Sequence, residues 1–211
     1  MKRGDAVRRA GLYGAGALVG ALLLGIGFGK QGEPDVATLL NGADALALVG
    51  AHDKAIVECL KVLERDPGNL RAHLLIALGR DRGGELAEAA ETYRRSLPFA
   101  EDPALKLEIE LSVADCLRRA GKAREAVAEC DRIERERGSK DARLPAVRGL
   151  ALAAMGETRL AVESLAVAVS RNPGDATFQE FLERAKSGDR FEPRPPSELA
   201  DPARVAGPGG T

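Results

Sequence analysis

The sequence has very few aromatic residues. Only 3% of its 211 residues are Phe, Tyr or Trp, and Trp is absent. Proteins that bind single-stranded nucleic acid stack its bases on aromatic side chains, so this composition argues against such a partner. The 31 basic and 32 acidic residues leave a net charge of -1, which creates no overall field to attract a polyanion. We therefore expect no nucleic-acid partner.

Cysteine and histidine are too few to form a familiar catalytic or metal site. The three cysteines, Cys59, Cys116 and Cys130, form no CxxC motif, and an odd number cannot complete a disulfide framework. We expect them to be buried free thiols. The two histidines, His52 and His73, belong to no HExxH motif, and the chain has no GxSxG motif. The sequence thus predicts no enzyme activity, and it indicates no cofactor, metal or small-molecule substrate.

Charged residues are missing from residues 10–29, which follow the basic stretch MKRGDAVRR. Twenty helical residues at about 1.5 Å each reach about 30 Å, enough to cross a bilayer, whereas a cleavable signal needs only about 7 to 15 apolar residues. We therefore expect residues 1–30 to be a single-pass anchor in a bacterial cytoplasmic (inner) membrane. The positive charge before the segment predicts a cytoplasmic N-terminus and an extracytoplasmic remainder.

Two other interpretations of this segment stay open. Seven glycines dilute its hydrophobicity, and Gly27-Phe28-Gly29 is a small-x-small sequence that a signal peptidase could cleave. Cleavage would release the protein on the far side of the membrane. In the third interpretation the protein is cytoplasmic and the segment is a buried helix.

From Pro34 onward the sequence repeats. Alanines recur at intervals of 34, 37 and 35 residues, each with a glycine five residues before it and another small residue twelve residues before it. The recurring alanines are Ala55, Ala89, Ala126 and Ala161. The glycines are Gly50, Gly84, Gly121 and Gly156. The other small residues are Ala43, Ala77, Ala114 and Gly149. Four units that share three columns predict a repeat array.

Each column has a physical role in a pair of antiparallel helices. Glycine ends the first helix, because it adopts the left-handed C-cap conformation without a Cβ penalty. The two small residues face one another across the pair, where a larger side chain would push the backbones apart. The corner RDPGN at residues 65–69 returns as RNPGD at residues 171–175. Its proline ends the second helix, and its Asn or Asp can cap the next one.

These columns resemble the tetratricopeptide repeat over about Val36 to Asp175. The resemblance implies an all-α fold, a right-handed α-solenoid of about four helix-turn-helix repeats. This sequence departs from the family at two places. Arg80 and Arg148 stand where the family has apolar residues. An aromatic residue that is common in the first helix of the repeat is replaced in all four units, by Leu39, His73, Glu110 and Pro145.

A capping helix is expected after the fourth unit, because the last repeat would otherwise leave its apolar face in water. Four apolar residues follow that unit at i, i+3, i+4 and i+7: Phe178, Phe181, Leu182 and Ala185. We expect the repeat domain to cover residues 36–186. Residues 187–211 hold five of the eleven prolines and no apolar period, so we expect a disordered tail.

The resemblance also implies where a partner binds. In stacked tetratricopeptide repeats the first helices line a concave wall that holds an extended peptide or a helix. The residues at the wall positions of this sequence are Leu40, Asp44, Ala47, Arg71, Leu74, Leu78, Asp81, Glu108, Leu111, Asp115, Arg118, Arg143, Ala146 and Leu150. Members that grip a C-terminal carboxylate use a Lys and an Asn where this chain has Leu40 and Asp44, so we do not expect that mode.

We therefore expect a membrane-tethered, non-enzymatic adaptor or scaffold whose groove binds a peptide or helix of a protein partner. The alternative is a constitutive structural subunit of a larger envelope complex, of the secretion or cytochrome-maturation type. A transient peptide site would leave exposed apolar side chains in the groove, whereas a permanent interface would show a wide apolar patch on one side.

Overall fold

The structure is a computed structural model that describes residues 33–188 and residue 191. Over these residues it contains α-helices, one short 3-10 helix at Leu97–Phe99 and no strand, which confirms the all-α fold predicted from the sequence. The helices are α1 (Val36–Leu48), α2 (His52–Arg65), α3 (Leu70–Gly83), α4 (Leu86–Ser96), α5 (Pro103–Arg119), α6 (Ala123–Arg137), α7 (Arg143–Ala154), α8 (Thr158–Arg171) and α9 (Ala176–Lys186).

The helices form four hairpins that follow one another along the chain. Each helix packs against the next one, and α1 also contacts α3, α5 contacts α7, and α7 contacts α9. The hairpins turn at the four predicted glycines, whose φ values are all between 76° and 84°: Gly50, Gly84, Gly121 and Gly156. In every turn the residue after the glycine donates its backbone N–H to the carbonyl five residues earlier, at 2.9 Å. This bond satisfies a carbonyl at the end of the first helix, and only glycine adopts the required left-handed conformation without strain.

The small-residue columns lie inside the hairpins, as the sequence predicts. All seven alanines of the two columns are at most 2% exposed: Ala43, Ala55, Ala77, Ala89, Ala114, Ala126 and Ala161. Gly149 on α7 is buried as well. A Cβ atom on Gly149 would lie 2.7 Å from Leu165 Cγ and 3.1 Å from the Ala161 carbonyl oxygen on α8. The two backbones therefore approach too closely at this point for any side chain.

Polar side chains cap the N-termini of two of the first helices, α3 and α5, and of the last helix, α9. The Asn69 side chain accepts a hydrogen bond from Ala72 N at 3.0 Å. Asp175 accepts from the backbone N–H of Thr177 at 2.9 Å. The Asp102 side chain accepts hydrogen bonds from the backbone N–H groups of Ala104 and Leu105, and Pro103 follows it in the first helical position. The repeated corner thus ends one helix and caps the next, and α9 receives the same cap as α3.

Arg80 and Arg148 keep the repeat register by forming polar bridges in place of apolar contacts. Arg80 on α3 donates to Thr92 Oγ1 on α4 at 2.6 Å. Arg148 on α7 donates to Asp131 Oδ1 at 3.0 Å and to Glu134 Oε2 at 2.7 Å, both on α6. These long side chains tie neighbouring helices together from the edge of the core.

Glu110 replaces the missing aromatic residue of the third unit with a buried ion cluster. Its side chain is 4% exposed and lies between the guanidinium groups of Arg132 and Arg137 on α6. Arg132 and Arg137 each donate an Nη2 hydrogen to Glu110 Oε1 at 3.1 Å. A buried carboxylate needs such partners, because an unpaired charge in the core is strongly destabilising.

The C-terminal helix covers the last hairpin, and the packed part of the chain continues past it. Phe178 and Ala185 of α9 are buried, and Phe181 is half-buried. Phe191, which falls in the predicted tail, packs against α9: its ring lies edge-on to Phe181 with centroids 5.8 Å apart. The Arg184 guanidinium lies 4.2 Å from the centroid of the same ring. The predicted anchor at residues 1–30 lies outside the described residues, as do residues 189, 190 and 192–211 of the predicted tail.

None of the helices between residues 33 and 188 is long and apolar enough to cross a membrane.

Substitution Gly149→Ala tests the close approach of α7 and α8. The added methyl group would overlap Leu165 and the Ala161 carbonyl, so we expect the free energy of unfolding in urea to fall by about 1 to 3 kcal/mol. Gly83→Ala is the matched control, because a Cβ there meets no atom within 4 Å. We expect the control to leave stability unchanged or to raise it by up to about 1 kcal/mol. Equal stability of the two variants would show that the approach is not close.

Candidate functional site

Most of the predicted wall residues meet in one hollow, here named the C-terminal groove. It has a volume of about 320 Å³ and lies between α5, α7, α9 and the end of α3. Its lining consists of Asp81, Glu108, Leu111, Ser112, Asp115, Cys116, Arg118, Arg143, Ala146, Val147, Leu150, Phe178 and Phe181. The predicted residues among them are Asp81, Glu108, Leu111, Asp115, Arg118, Arg143, Ala146 and Leu150. The stacking of α3, α5 and α7 brings these residues together from three repeats.

The floor of the C-terminal groove is apolar and mostly fixed by the core. Leu111, Ala146 and Leu150 are each between 3% and 6% exposed, so they present only a small part of their surface to the groove. Phe181 and Val147 are more accessible. An apolar ligand side chain would therefore meet a smooth aliphatic base with an aromatic wall on the α9 side.

One rim of the groove is an ion cluster around Arg143. Its guanidinium donates to both carboxylate oxygens of Glu108, at 2.8 and 2.5 Å, and to Asp141 at 2.6 Å. Hydrogen bonds from Arg143 hold the pKa of Glu108 and of Asp141 below the ordinary values. The cluster joins the second turn of α5 to the start of α7, one repeat later.

The opposite rim carries two arginine–aspartate pairs. Arg118 donates to Asp115 Oδ1 at 3.0 and 2.7 Å. Arg119, next to it, donates to Asp81 Oδ1 at 2.6 Å, which joins α5 to α3. Both arginines that line the groove, Arg118 and Arg143, are therefore paired with carboxylates. A ligand carboxylate would therefore have to displace an internal partner from Arg118 or Arg143.

A second hollow, of about 590 Å³, lies at the other end of the array. It is lined by Asp44, Ala47, Leu48, Gly50, His52, Leu75, Leu78 and Arg82. Three of the predicted wall residues line this hollow: Asp44, Ala47 and Leu78.

Three predicted wall residues line neither hollow. Arg71 is ion-paired with Asp44. Leu40 is 7% exposed and belongs to the core of the first hairpin, and Leu74 packs against the core formed around α4 and α5. The wall prediction therefore does not describe one continuous surface, because Leu40 and Leu74 are used for packing.

The aromatic wall of the C-terminal groove is not among the predicted wall positions. Those positions come from the four repeats alone, and the spacing of Phe178 and Phe181 predicts a capping helix. The signal was present in their spacing: residues at i and i+3 share a helix face, so a helix that continues the array turns both rings to the same side. Ser112, Cys116 and Val147 line the groove as well, and each stands one residue after a predicted wall position.

His73 and the three cysteines, which belong to residue types often used in catalysis, are packed against other parts of the fold. His73 stacks on Phe99 with ring centroids 5.2 Å apart, and its Nε2 lies 3.0 Å from the Pro67 carbonyl oxygen. The three cysteines are buried free thiols, and burial raises the pKa of Cys59 to about 11 and that of Cys116 and Cys130 to about 12. A protonated thiol is a poor nucleophile. Between residues 33 and 188, no cluster of His, Cys, Asp or Glu could hold a metal ion.

The described fold is similar to solved structures of low sequence identity. No protein-family model and no curated protein sequence matches this chain. One similar structure is YrrB, "a TPR protein with an unusual peptide-binding site", at 18% identity, with a TM-score of 0.56 over 81% of this chain and 85% of that chain. The chain has the tetratricopeptide-repeat fold.

Two structures of MamA extend the comparison. One shares 20% identity with this chain and has a TM-score of 0.61, over 78% of this chain and 87% of the MamA chain. MamA from Desulfovibrio magneticus RS-1 shares 14% identity and has the same TM-score over 82% and 98% of the two chains. At these identities the likeness concerns the fold alone.

The Arg143 cluster predicts a loss of stability in acid. The folded-state pKa of Glu108 lies below its ordinary value of 4.5, so its contribution is present above that pH and is lost as the pH falls through the folded-state pKa. We expect Glu108→Gln to flatten the fall of the urea midpoint between about pH 5 and about pH 3. The control is Glu163→Gln, which changes an exposed pair with Arg159 on α8. An unchanged slope in Glu108→Gln would mean that the cluster does not stabilise the fold.

Proposed function

We propose that this chain is a non-enzymatic interaction module that binds an apolar peptide segment or helix of a protein partner in the C-terminal groove. The observation that carries the proposal is the combination of an apolar floor with two rims of internally neutralised charge. A peptide can place apolar side chains on Leu150 and Phe181 while its backbone runs between the rims.

The charge arrangement of the groove restricts the chemistry of the partner. Because Arg118 and Arg143 already have carboxylate partners, a strongly acidic or basic peptide gains little and must break internal pairs. The groove suits a segment with two or three apolar anchors and polar flanks. The peptide-binding site named for the similar structure YrrB supports peptide recognition on this fold, although its residues are not carried over to this chain.

The alternative function, a constitutive subunit of a larger complex, requires a wide apolar patch on one side. The second helices carry exposed apolar residues only at the two ends of the array: Val57 and Leu60 on α2, and Leu160 and Val167 on α8. The intervening helices α4 and α6, as the structure describes them, carry no exposed large apolar side chain. Their polar surface favours the groove as the binding site.

The expected tether to the extracytoplasmic side of a cytoplasmic membrane concerns residues 10–29, outside the described residues. It stays a prediction, as does removal of the segment by a signal peptidase. The groove proposal does not depend on either, because every lining residue lies between Asp81 and Phe181.

Site-directed photocrosslinking tests the groove. A photoreactive residue at Ser112, on the α5 wall, should capture a partner in intact cells, and Val147→Glu on the α7 wall should reduce that capture by at least about tenfold. The reason is that a buried unpaired charge on the apolar floor costs several kcal/mol on binding. The captured protein is then identified, and the peptide fused to the probe is sequenced.

A photoreactive residue at Glu163 on α8 is the matched control, because this position is exposed on the outer side of the last hairpin. Capture from Glu163 and not from Ser112 would contradict the groove proposal and favour the structural subunit. Capture from Ser112 that Val147→Glu leaves unchanged would also contradict it.

A further inference from the structure

The second hollow, here named the N-terminal hollow, offers apolar surface that the core does not use. Its volume is about 590 Å³, and it lies between the end of α1, the start of α2 and α3. Leu48 and Leu78 in its lining are 88% and 38% exposed. Leu111 and Leu150 of the C-terminal groove are only 5% and 6% exposed. A ligand in the N-terminal hollow would therefore meet aliphatic side chains that are still accessible.

One face of α3 forms a wall of the N-terminal hollow. Leu75, Leu78 and Arg82 follow one another at i, i+3 and i+7, so they share a face of the helix. Leu78 and Arg82 are one helical turn apart, and residues at this spacing have their Cβ atoms about 6 Å apart. The wall therefore presents a cation next to an apolar side chain.

Arg82 is an unpaired cation. Its side chain is exposed, and among residues 33–188 and 191 it forms no ion pair and no hydrogen bond. The acidic residues beside it in the sequence and in the lining have other partners. Asp81 pairs with Arg119, and Asp44 pairs with Arg71. The guanidinium of Arg82 is therefore available to a ligand.

This charge arrangement is the reverse of the one in the C-terminal groove. A ligand carboxylate in that groove would have to displace an internal partner of Arg118 or Arg143. At Arg82 a carboxylate meets the donors of a guanidinium whose engagement breaks no internal pair, and charge-assisted hydrogen bonds of this kind are strong. A basic ligand would be repelled by Arg82, because the carboxylate of Asp44 is already neutralised.

We propose that the N-terminal hollow is a second binding site and that its ligand is an acidic peptide segment of a protein partner. An aliphatic side chain of the segment packs on Leu75 and Leu78, and an Asp or Glu side chain of the segment accepts hydrogen bonds from Arg82. The spacing of Leu78 and Arg82 requires that these two ligand residues are i and i+2 in an extended segment, or i and i+4 in a helix. A peptide fits better than a lipid surface, because the site is recessed between two helices, as peptide and ligand sites are.

The second site goes beyond the proposed function and can fail independently of it. The N-terminal hollow and the C-terminal groove share no lining residue. Arg82→Gln therefore changes only the N-terminal hollow, and Val147→Glu changes only the C-terminal groove.

Peptide selection on the full-length chain tests the second site. Random short peptides displayed on phage are selected on the chain, and the enriched peptides are synthesised. Fluorescence anisotropy then gives the Kd of each peptide for the unchanged chain and for Arg82→Gln, Val147→Glu and Arg124→Gln. Arg124→Gln on α6 is the matched control, because Arg124 is also exposed, has no ion pair or hydrogen bond among the described residues and lines neither hollow.

We expect one group of enriched peptides to carry an aliphatic residue and an Asp or Glu at the required spacing. Arg82→Gln should weaken their binding by about tenfold, which is typical for the loss of a charge-assisted hydrogen bond. An ionic strength of about 0.5 M should weaken their binding to the unchanged chain and not to Arg82→Gln. Arg124→Gln and Val147→Glu should leave these affinities unchanged. The urea midpoint of Arg82→Gln should equal that of the unchanged chain, because the side chain is exposed.

Four results would overturn the proposal. The first is the enrichment of no acidic peptide, even where other peptides depend on Val147 and so support the C-terminal groove. The second is a set of acidic peptides that Arg82→Gln does not weaken, or that Arg124→Gln weakens equally. The third is a dimer of the full-length chain that Leu78→Gln dissociates, since a second copy would then cover the hollow. The fourth is binding to phosphatidylglycerol vesicles that Arg82→Gln abolishes, since the hollow would then face a lipid surface.

Discussion

The architecture depends on contact between helix backbones at positions where both helices carry a small residue. At Gly149 the contact is so close that even a methyl group does not fit. Such contacts give the two helices of each hairpin a similar spacing, so that successive hairpins stack in line. Larger core residues fill the space around the small ones: Cys59, Tyr93, Cys130 and Leu165. If one hairpin were thicker, the first helices would no longer align, and the two walls of the C-terminal groove would not face each other.

Arginine–carboxylate pairs add a second kind of contact between the hairpins. Arg148 and Arg171 of the fourth unit both reach Glu134 of the third unit, so these two units share a carboxylate. The pairs of Arg132 and Arg137 with Glu110 join α5 to α6 within the third unit. These pairs need particular geometry, whereas apolar contacts tolerate sliding. We infer that the apolar columns supply most of the stability and that the ion pairs fix the register of one hairpin on the next.

The sequence predicts the parts of this fold that follow from a strict local constraint. A left-handed turn favours glycine, and a close helix crossing accepts only small residues. Each constraint therefore makes one residue type recur at the same repeat position, which is visible in the sequence alone. The polar side chains on the first helices cannot be placed from the sequence in this way. Arg71 and Arg143 form ion pairs with residues 27 and 35 positions away in the sequence, and these pairings depend on how the hairpins stack. Leu40 and Leu74 stand at wall positions but pack in the core, and the aromatic wall of the groove comes from α9.

The claim that small residues set the helix spacing is tested most directly by enlarging one residue of the column in each of three units. The account predicts that Ala43→Leu, Ala77→Leu and Ala114→Leu each lower the free energy of unfolding in urea by about 1 to 3 kcal/mol, because each site is fully buried against the partner helix. Ala37→Leu, at an exposed site on α1, should change it by less than about 0.5 kcal/mol. Equal tolerance of leucine at all four positions would contradict the account.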